Sequence, residues 1–304
     1  MKKLKILLAG LALVVFFIFV IFLCGKIWPH KFYSSISAFE HLFSFNSPDP
    51  SPYQFLSTSD FPQSDGTDFR FSFREQTVES LAEQGAVWND SLMLISAEHP
   101  IPDGYDFDLS CYRDTDVVMN SCIHDAYFHL KTRIKRKFDN SLYIMSAYRT
   151  PEEQAEAIES EGELAVAVGT SEHQSGLALD VYVKYHAGYG FLDSDEGKFV
   201  NSYCDEYGFI IRYPYYGESV TGIDYEPWHL RYVGLPHSQI IMKNRLTLEE
   251  YVEMLTPDEI FLCGDYLIAR QKTASHYYLP EELRDLVLSP DNTGHTIITG
   301  KIKK

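Results

Sequence analysis

Two histidines and two carboxylates are spaced as a hydrolytic metal site requires. His173 and Asp180 lie within Ser171-Glu-His-Gln-Ser-Gly-Leu-Ala-Leu-Asp180, and Glu226 and His229 open Glu226-Pro-Trp-His-Leu-Arg-Tyr-Val233. Zinc in a hydrolase takes three N or O ligands and keeps one position open for water. His173, Asp180 and His229 can supply those three, for one Zn2+ per chain. The interval from His173 to Asp180 contains Gly176 and runs into an apolar stretch, so this is not a helical H-E-x-x-H pair. A loop is expected to give the first ligand and the adjoining strand the next. Glu226 precedes His229 by three residues, which on a regular strand would face the other way. Pro227 breaks that ladder, so both side chains can face one metal, with Glu226 as general base and acid. Taken singly, each residue also has a structural reading, as a buried histidine or as an aspartate that caps or forms an ion pair. A third cluster, Ser146-Ala-Tyr-Arg-Thr-Pro-Glu-Glu-Gln154, carries Arg149. Its structural alternative is an ion pair with Glu152 or Glu153 that pins a helix start.

These residues need a scaffold, and the pattern predicts an α+β domain with a mainly antiparallel sheet and packed helices. Apolar residues recur at helical spacing from Val117 to Lys137 (Val118, Cys122, Ala126, Leu130, Ile134). Ser141 to Met145 reads as a strand, followed by a helix opening at Thr150-Pro151-Glu152-Glu153, with N-cap, N1 proline and first-turn acids. Leu177 to Val183, Phe209 to Tyr213 and His229 to Val233 read as strands, with a short helix over Lys198 to Tyr207. The turn-rich stretch from His99 to Gly104 closes an earlier apolar segment, Ser91 to Ala97.

The flanks differ from this central part. After three lysines within the first five residues, Ile6 to Cys24 is a nineteen-residue run without a charge. At 1.5 Å per residue it spans about 28 Å, close to the hydrocarbon thickness of a bilayer. No small-residue cleavage site follows, so an uncleaved transmembrane anchor is expected, with the rest of the chain outside the cell. The expected organisation is residues 1–30 as cytoplasmic stub and anchor, 31–75 as a Ser-, Pro- and Asp-rich flexible tether, 76–254 as the zinc domain, and 255–304 as a small C-terminal β appendage. The net charge of -17 argues against a nucleic-acid partner. The basic run Lys131 to Lys137 reads as a solvated helix face. Five cysteines without a C-x-x-C pair exclude a disulfide framework or a four-cysteine zinc site. They leave room for a single Cys111–Cys122 bridge, with buried free thiols favoured.

Together the clusters resemble the VanY-like D-alanyl-D-alanine carboxypeptidases, which share a fold with the VanX dipeptidases and the Hedgehog signalling domain. The pattern S-x-H-x-x-G-x-A-x-D is met by Ser171, His173, Gly176, Ala178 and Asp180, and E-P-W-H-x-R-Y-V-G by Glu226 to Gly234. S-x-Y-R-[ST]-x-x-x-Q is met by Ser146, Tyr148, Arg149, Thr150 and Gln154, and Gly208-Phe-Ile-Ile-Arg-Tyr-Pro214 is also typical. The likeness covers about residues 80 to 250. It implies a zinc peptidase that removes the terminal D-Ala from peptidoglycan stem peptides in the bacterial cell envelope. It also implies that His173, Asp180 and His229 bind zinc and that Glu226 is the base. Arg149 would stabilise the oxyanion or the substrate carboxylate, and Ser171 and Gln154 would hydrogen-bond the substrate. Trp228, Tyr232 and Arg212 are expected in the core or wall, and Glu172 facing solvent. The alternatives are a D-Ala-D-Ala dipeptidase, an L-Ala-D-Glu wall endopeptidase, and a non-catalytic zinc-stabilised wall-binding module. The last predicts loss of the base or of Arg149, and both are present.

Overall fold

The computed structural model describes residues 73–161 and 166–303, together with Phe16 and Val20. Among the described residues no helix is long and apolar enough to cross a membrane. The expected span over 6–24 lies outside them apart from Phe16 and Val20, as does the tether before Phe73.

The tether was expected to run to residue 75, but Phe73–Thr77 is already a strand (β1), followed by helix α1 (Val78–Glu83) and the two-residue strand β2 (Val87–Trp88). A hairpin follows, β3 (Leu109–Cys111) and β4 (Val118–Asn120), which corrects the expectation of one helix from Val117. Strand pairing captures residues 118–120, and the Asn120 side chain then accepts from the Cys122 amide. Helix α2 therefore starts at His124 and runs to Phe138. It buries Tyr127, Leu130 and Ile134 and ends at Asp139, in the left-handed conformation. The basic residues of its last turn complement the helix dipole, and Arg133, Lys135, Arg136 and Lys137 are solvent-exposed.

The chain then builds a four-stranded sheet. Strand β5 (Tyr143–Ser146) leads to helix α3 (Pro151–Glu161). Thr150 and Glu153 satisfy each other's amides there, at 3.1 and 2.8 Å, as a capping box does. Strand β6 (Ala178–Tyr182), helix α4 (Asp195–Tyr203), strand β7 (Phe209–Ile211), the single turn α5 (Glu218–Thr221) and strand β8 (His229–Tyr232) complete it. The strand order is β5-β6-β8-β7, antiparallel throughout. Its apolar residues Leu179, Val181, Phe209 and Leu230 pack with α2 and α4 in one core cluster.

Helices α6 (His237–Lys243) and α7 (Leu248–Met254) precede β9 (Ile260–Cys263), β10 (Tyr266–Lys272), β11 (His276–Pro280), β12 (Leu283–Pro290) and β13 (His295–Ile302). The expected β character of residues 255–304 is present, but these strands are completed from the other end of the chain. Strand β11 pairs with β1, and the five-stranded sheet β2-β12-β13-β10-β9 takes β2 in parallel on β12. The expected boundary at 255 runs through a shared core, where Leu92, Ile210, Val233, Ile240 and Tyr251 pack with Phe261, Ile268 and Ile297. Cys111, Cys122, Cys204 and Cys263 are free thiols, so no Cys111–Cys122 bridge is formed.

Candidate active site

Register places the candidate ligands. Asp180 on β6 stands directly across from His229 on β8 and, on its other side, from Ser146 on β5. Residues paired across antiparallel strands share a face, so three adjacent strands present Ser146, Asp180 and His229 side by side. His173 arrives from the loop as expected, on a 3-10 turn over Glu172–Ser175 that ends at Gly176, φ +68. A Cβ on Gly176 would come 2.6 Å from the Asn120 amide nitrogen and 2.7 Å from Leu109 Cδ2. Glycine alone lets the loop sit this close to the β3–β4 hairpin.

One ligand atom each from His173, Asp180 and His229 lie within 4.8 Å of one another, all three residues buried. His173 Nδ1 lies 2.7 Å from the Ala147 carbonyl, to which it donates, turning Nε2 toward Asp180 Oδ2 at 3.2 Å. His229 faces the other way round, with Nδ1 at 3.0 Å from Asp180 Oδ1 and 3.5 Å from Glu226 Oε2. Among the described residues Asp180 Oδ1 has no hydrogen-bond partner. Imidazole nitrogens and carboxylate oxygens gathered this closely in a buried space fit a divalent cation, and two imidazoles with one carboxylate suit zinc.

The electrostatics agree. Burial opposes ionisation of Asp180, yet the His173 and His229 imidazoles hold its carboxyl well below the usual range. Burial lowers His173, partly offset by Asp180. Burial would also lower His229, but the carboxylates of Asp180, Glu172 and Glu226 together raise it to about 10. The site thus attracts positive charge strongly.

Glu226 sits in the turn before β8, its amide bonded to the Tyr213 carbonyl, and its side chain keeps 27% exposure beside His229. It is more exposed than the three side chains of the triad. Arg149 also points inward: Nε donates to Ser146 Oγ at 2.9 Å, Nη1 to Gln154 Oε1 at 3.4 Å, and Nη2 lies 3.5 Å from Asp180 Oδ2. No ion pair to Glu152 or Glu153 is formed. Gln154 is buried, and its amide also donates to the Val166 carbonyl at 2.9 Å, so it braces Arg149. Ser171 is buried at the head of the 3-10 turn without capping it.

One residue departs from the sequence expectation. Glu172 is 1% exposed rather than solvent-facing, because Arg212 and Arg231 enclose its carboxylate, with Nε of Arg212 at 2.7 Å and Nη1 of Arg231 at 2.5 Å. Arg212 stands in Gly208-Phe-Ile-Ile-Arg-Tyr-Pro214, and a cation buried in an apolar strand is itself a signal that a carboxylate must be near. Tyr213, next to it, is buried with its ring 4.9 Å from that of His229.

Comparison with known proteins identifies a family. The family model for VanY, D-alanyl-D-alanine carboxypeptidase, matches residues 117–235, which contain every site residue described here. The chain is similar to the bifunctional D-Ala-D-Ala dipeptidase and carboxypeptidase VanXYC of Enterococcus gallinarum, 37% identical over 183 residues, 55% of this chain and 95% of that protein. It is 33% identical to a D-alanyl-D-alanine carboxypeptidase of Enterococcus faecium over 199 residues, 61% of this chain and 65% of that one, just under two thirds of its length. Among solved structures, the D,D-dipeptidase VanXYg in complex with a D-Ala-D-Ala phosphinate analogue shares the fold, with TM-score 0.62, 24% identity and coverage of 76% of this chain and 99% of that one. The chain belongs to the VanY family of D-alanyl-D-alanine carboxypeptidases, which are zinc metallopeptidases.

Proposed function

We propose that this protein is a zinc-dependent carboxypeptidase that removes the terminal D-Ala from peptidoglycan stem peptides ending in D-Ala-D-Ala. The observation that carries this is the convergence of His173, Asp180 and His229 within 4.8 Å, with the more exposed Glu226 beside His229 and Arg149 beside Asp180. Zinc held by the three ligands would supply a Lewis acid that activates a water and polarises the scissile carbonyl. Glu226, 3.5 Å from His229 Nδ1 and partly open to solvent, takes the proton from the attacking water and passes it to the leaving amine. Arg149, fixed by Ser146 and Gln154, offers its guanidinium to the developing oxyanion or to the C-terminal carboxylate. Ser171 lines the loop that carries His173 and binds the peptide near the scissile bond. The uncharged run from Ile6 to Cys24 anchors the enzyme in the plasma membrane with the catalytic part on the wall side, and the stretch from residue 31 up to Phe73 acts as tether.

A second activity is favoured by one comparison. The Enterococcus gallinarum relative is named for both dipeptidase and carboxypeptidase activity, so free D-Ala-D-Ala is a candidate substrate of the same site. Mass spectrometry of products from a wall pentapeptide and from the free dipeptide, each with and without a chelator, tests both. Chelator-sensitive release of one D-Ala from the pentapeptide supports the carboxypeptidase. An intact pentapeptide with zinc present would overturn it.

A further inference from the structure

Glu172 is adjacent in sequence to the ligand His173, but its carboxylate is directed at the other histidine. Oε1 accepts from Arg212 Nε at 2.7 Å and from Arg231 Nη1 at 2.5 Å. Both guanidiniums are themselves fixed. Arg212 donates Nη1 and Nη2 to Glu249, at 3.0 and 2.5 Å. Arg231 donates Nη2 to the carbonyls of Met93 and Ser91, at 2.7 and 3.2 Å, and Nε to that of Tyr232 at 3.0 Å. With Oε1 gripped from two sides, Oε2 is left facing His229 Nε2 at 3.8 Å. That is longer than a hydrogen bond, and among the described residues neither atom has another hydrogen-bond partner. A small ring movement would bring them within hydrogen-bonding distance.

We infer that Glu172 is a positioning residue: clamped by Arg212 and Arg231, it receives the Nε2 proton of His229 and so fixes the ring with its Nδ1 lone pair on the metal. The opposite ring nitrogen, Nδ1, already faces Asp180 and Glu226. His173 is held in the mirror arrangement, its Nδ1 on the Ala147 carbonyl and its Nε2 on the metal side. A histidine ligand whose second nitrogen is bonded is held in one tautomer and made a better donor. Two glutamates against two arginines also leave the cluster neutral. The role connects the ligand on β8 through Glu172 and Arg231 to the Ser91–Met93 segment and through Arg212 to α7.

This inference rests on the zinc reading of the triad, and the test separates the two. In the full-length chain, zinc dissociation constants are measured by chelator competition for the wild type, Glu172→Gln and Glu249→Gln. Both substitutions remove one charge from the Arg212 cluster, but only the first touches His229. Glu172→Gln should weaken zinc binding on the order of 10–100-fold, while Glu249→Gln, which leaves both guanidiniums on Glu172, should lose far less. Equal loss in both variants, or wild-type affinity in Glu172→Gln, overturns the positioning role alone. A wild type that takes up no zinc overturns the triad reading and this inference with it. Should Glu172→Gln fail to fold, imidazole nitrogen NMR of the zinc-loaded wild type decides. His229 should carry its proton on Nε2 and His173 on Nδ1, and a proton on Nδ1 of His229 rejects the inference.

Discussion

In the C-terminal sheet a buried arginine, Arg270, has every arm engaged. Nε donates to Asp291 at 2.6 Å, Nη1 to the Val252 and Leu255 carbonyls, and Nη2 to Thr293. Its neighbours behave alike: Tyr277 donates to Thr296, which meets Thr273, and His237 bridges Tyr251 and Thr299. In the four-stranded sheet, by contrast, buried polar atoms are left over. Among the described residues, Asp180 Oδ1, His229 Nε2 and Glu172 Oε2 lack hydrogen-bond partners and crowd one face, while the other unpartnered pair, the Asp205 oxygens, lies near Lys243. Polar groups that hold a fold are satisfied within it. Groups that serve a ligand are left short, at a cost the rest of the fold must offset.

Substitutions at the two sheets should therefore fail differently. The largest effect is expected at the metal: His173→Ala should lose stoichiometric zinc and all measurable turnover while still folding, as metal analysis and circular dichroism would show. Full zinc content in that variant would remove His173 from the site. Asp291→Ala should do the reverse, leaving Arg270 buried and unpaired at about 3–5 kcal/mol of stability. Zinc stoichiometry of the folded fraction should be unchanged. Urea unfolding at wild-type stability would break the contrast.

Arg149→Lys comes next, because an ammonium cannot reproduce the two-pronged contact. Turnover should drop on the order of 10² with zinc retained, and steady-state kinetics on a D-Ala-D-Ala peptide would read it. The last effect concerns pH at the C-terminal sheet and is absent at neutral pH. Burial pushes His237 down to about 3, with Tyr251 and Thr299 as its polar neighbours. Since its folded value lies below the usual 6.5, the unfolded chain binds this proton first. Stability from this group is full above that value and declines as pH falls toward 3, by at most about 1.4 kcal/mol per pH unit. His237→Gln should flatten the pH dependence of urea midpoints between these limits, and an unchanged slope would exclude His237 as its source.

How much was legible in the sequence follows the same division. The candidate ligands and Glu226 stood out because each lies in a short motif whose geometry is local, a glycine-closed loop or a proline before a strand. Glu172 could not, since Arg212 and Arg231, which bury it, lie 40 and 59 positions away. Strands β1 and β2 were missed for the same reason, being short and paired with residues about two hundred positions later. Val117 to Lys137 looked like one helix because its periodicity is real from residue 124 onward. Pairing of β4 with β3, and the Asn120 amide on the Gly176 carbonyl, override it before that point.

The central claim is that a metal triad and a separate proton acceptor share this face of the four-stranded sheet. Glu226→Gln tests it most directly, because the amide preserves shape and leaves His173, Asp180 and His229 in place. With zinc content and pentapeptide turnover measured on the same preparation, one zinc per chain should remain while kcat falls on the order of 10²–10⁴. Near-normal turnover with zinc bound would make Glu226 structural and contradict the account.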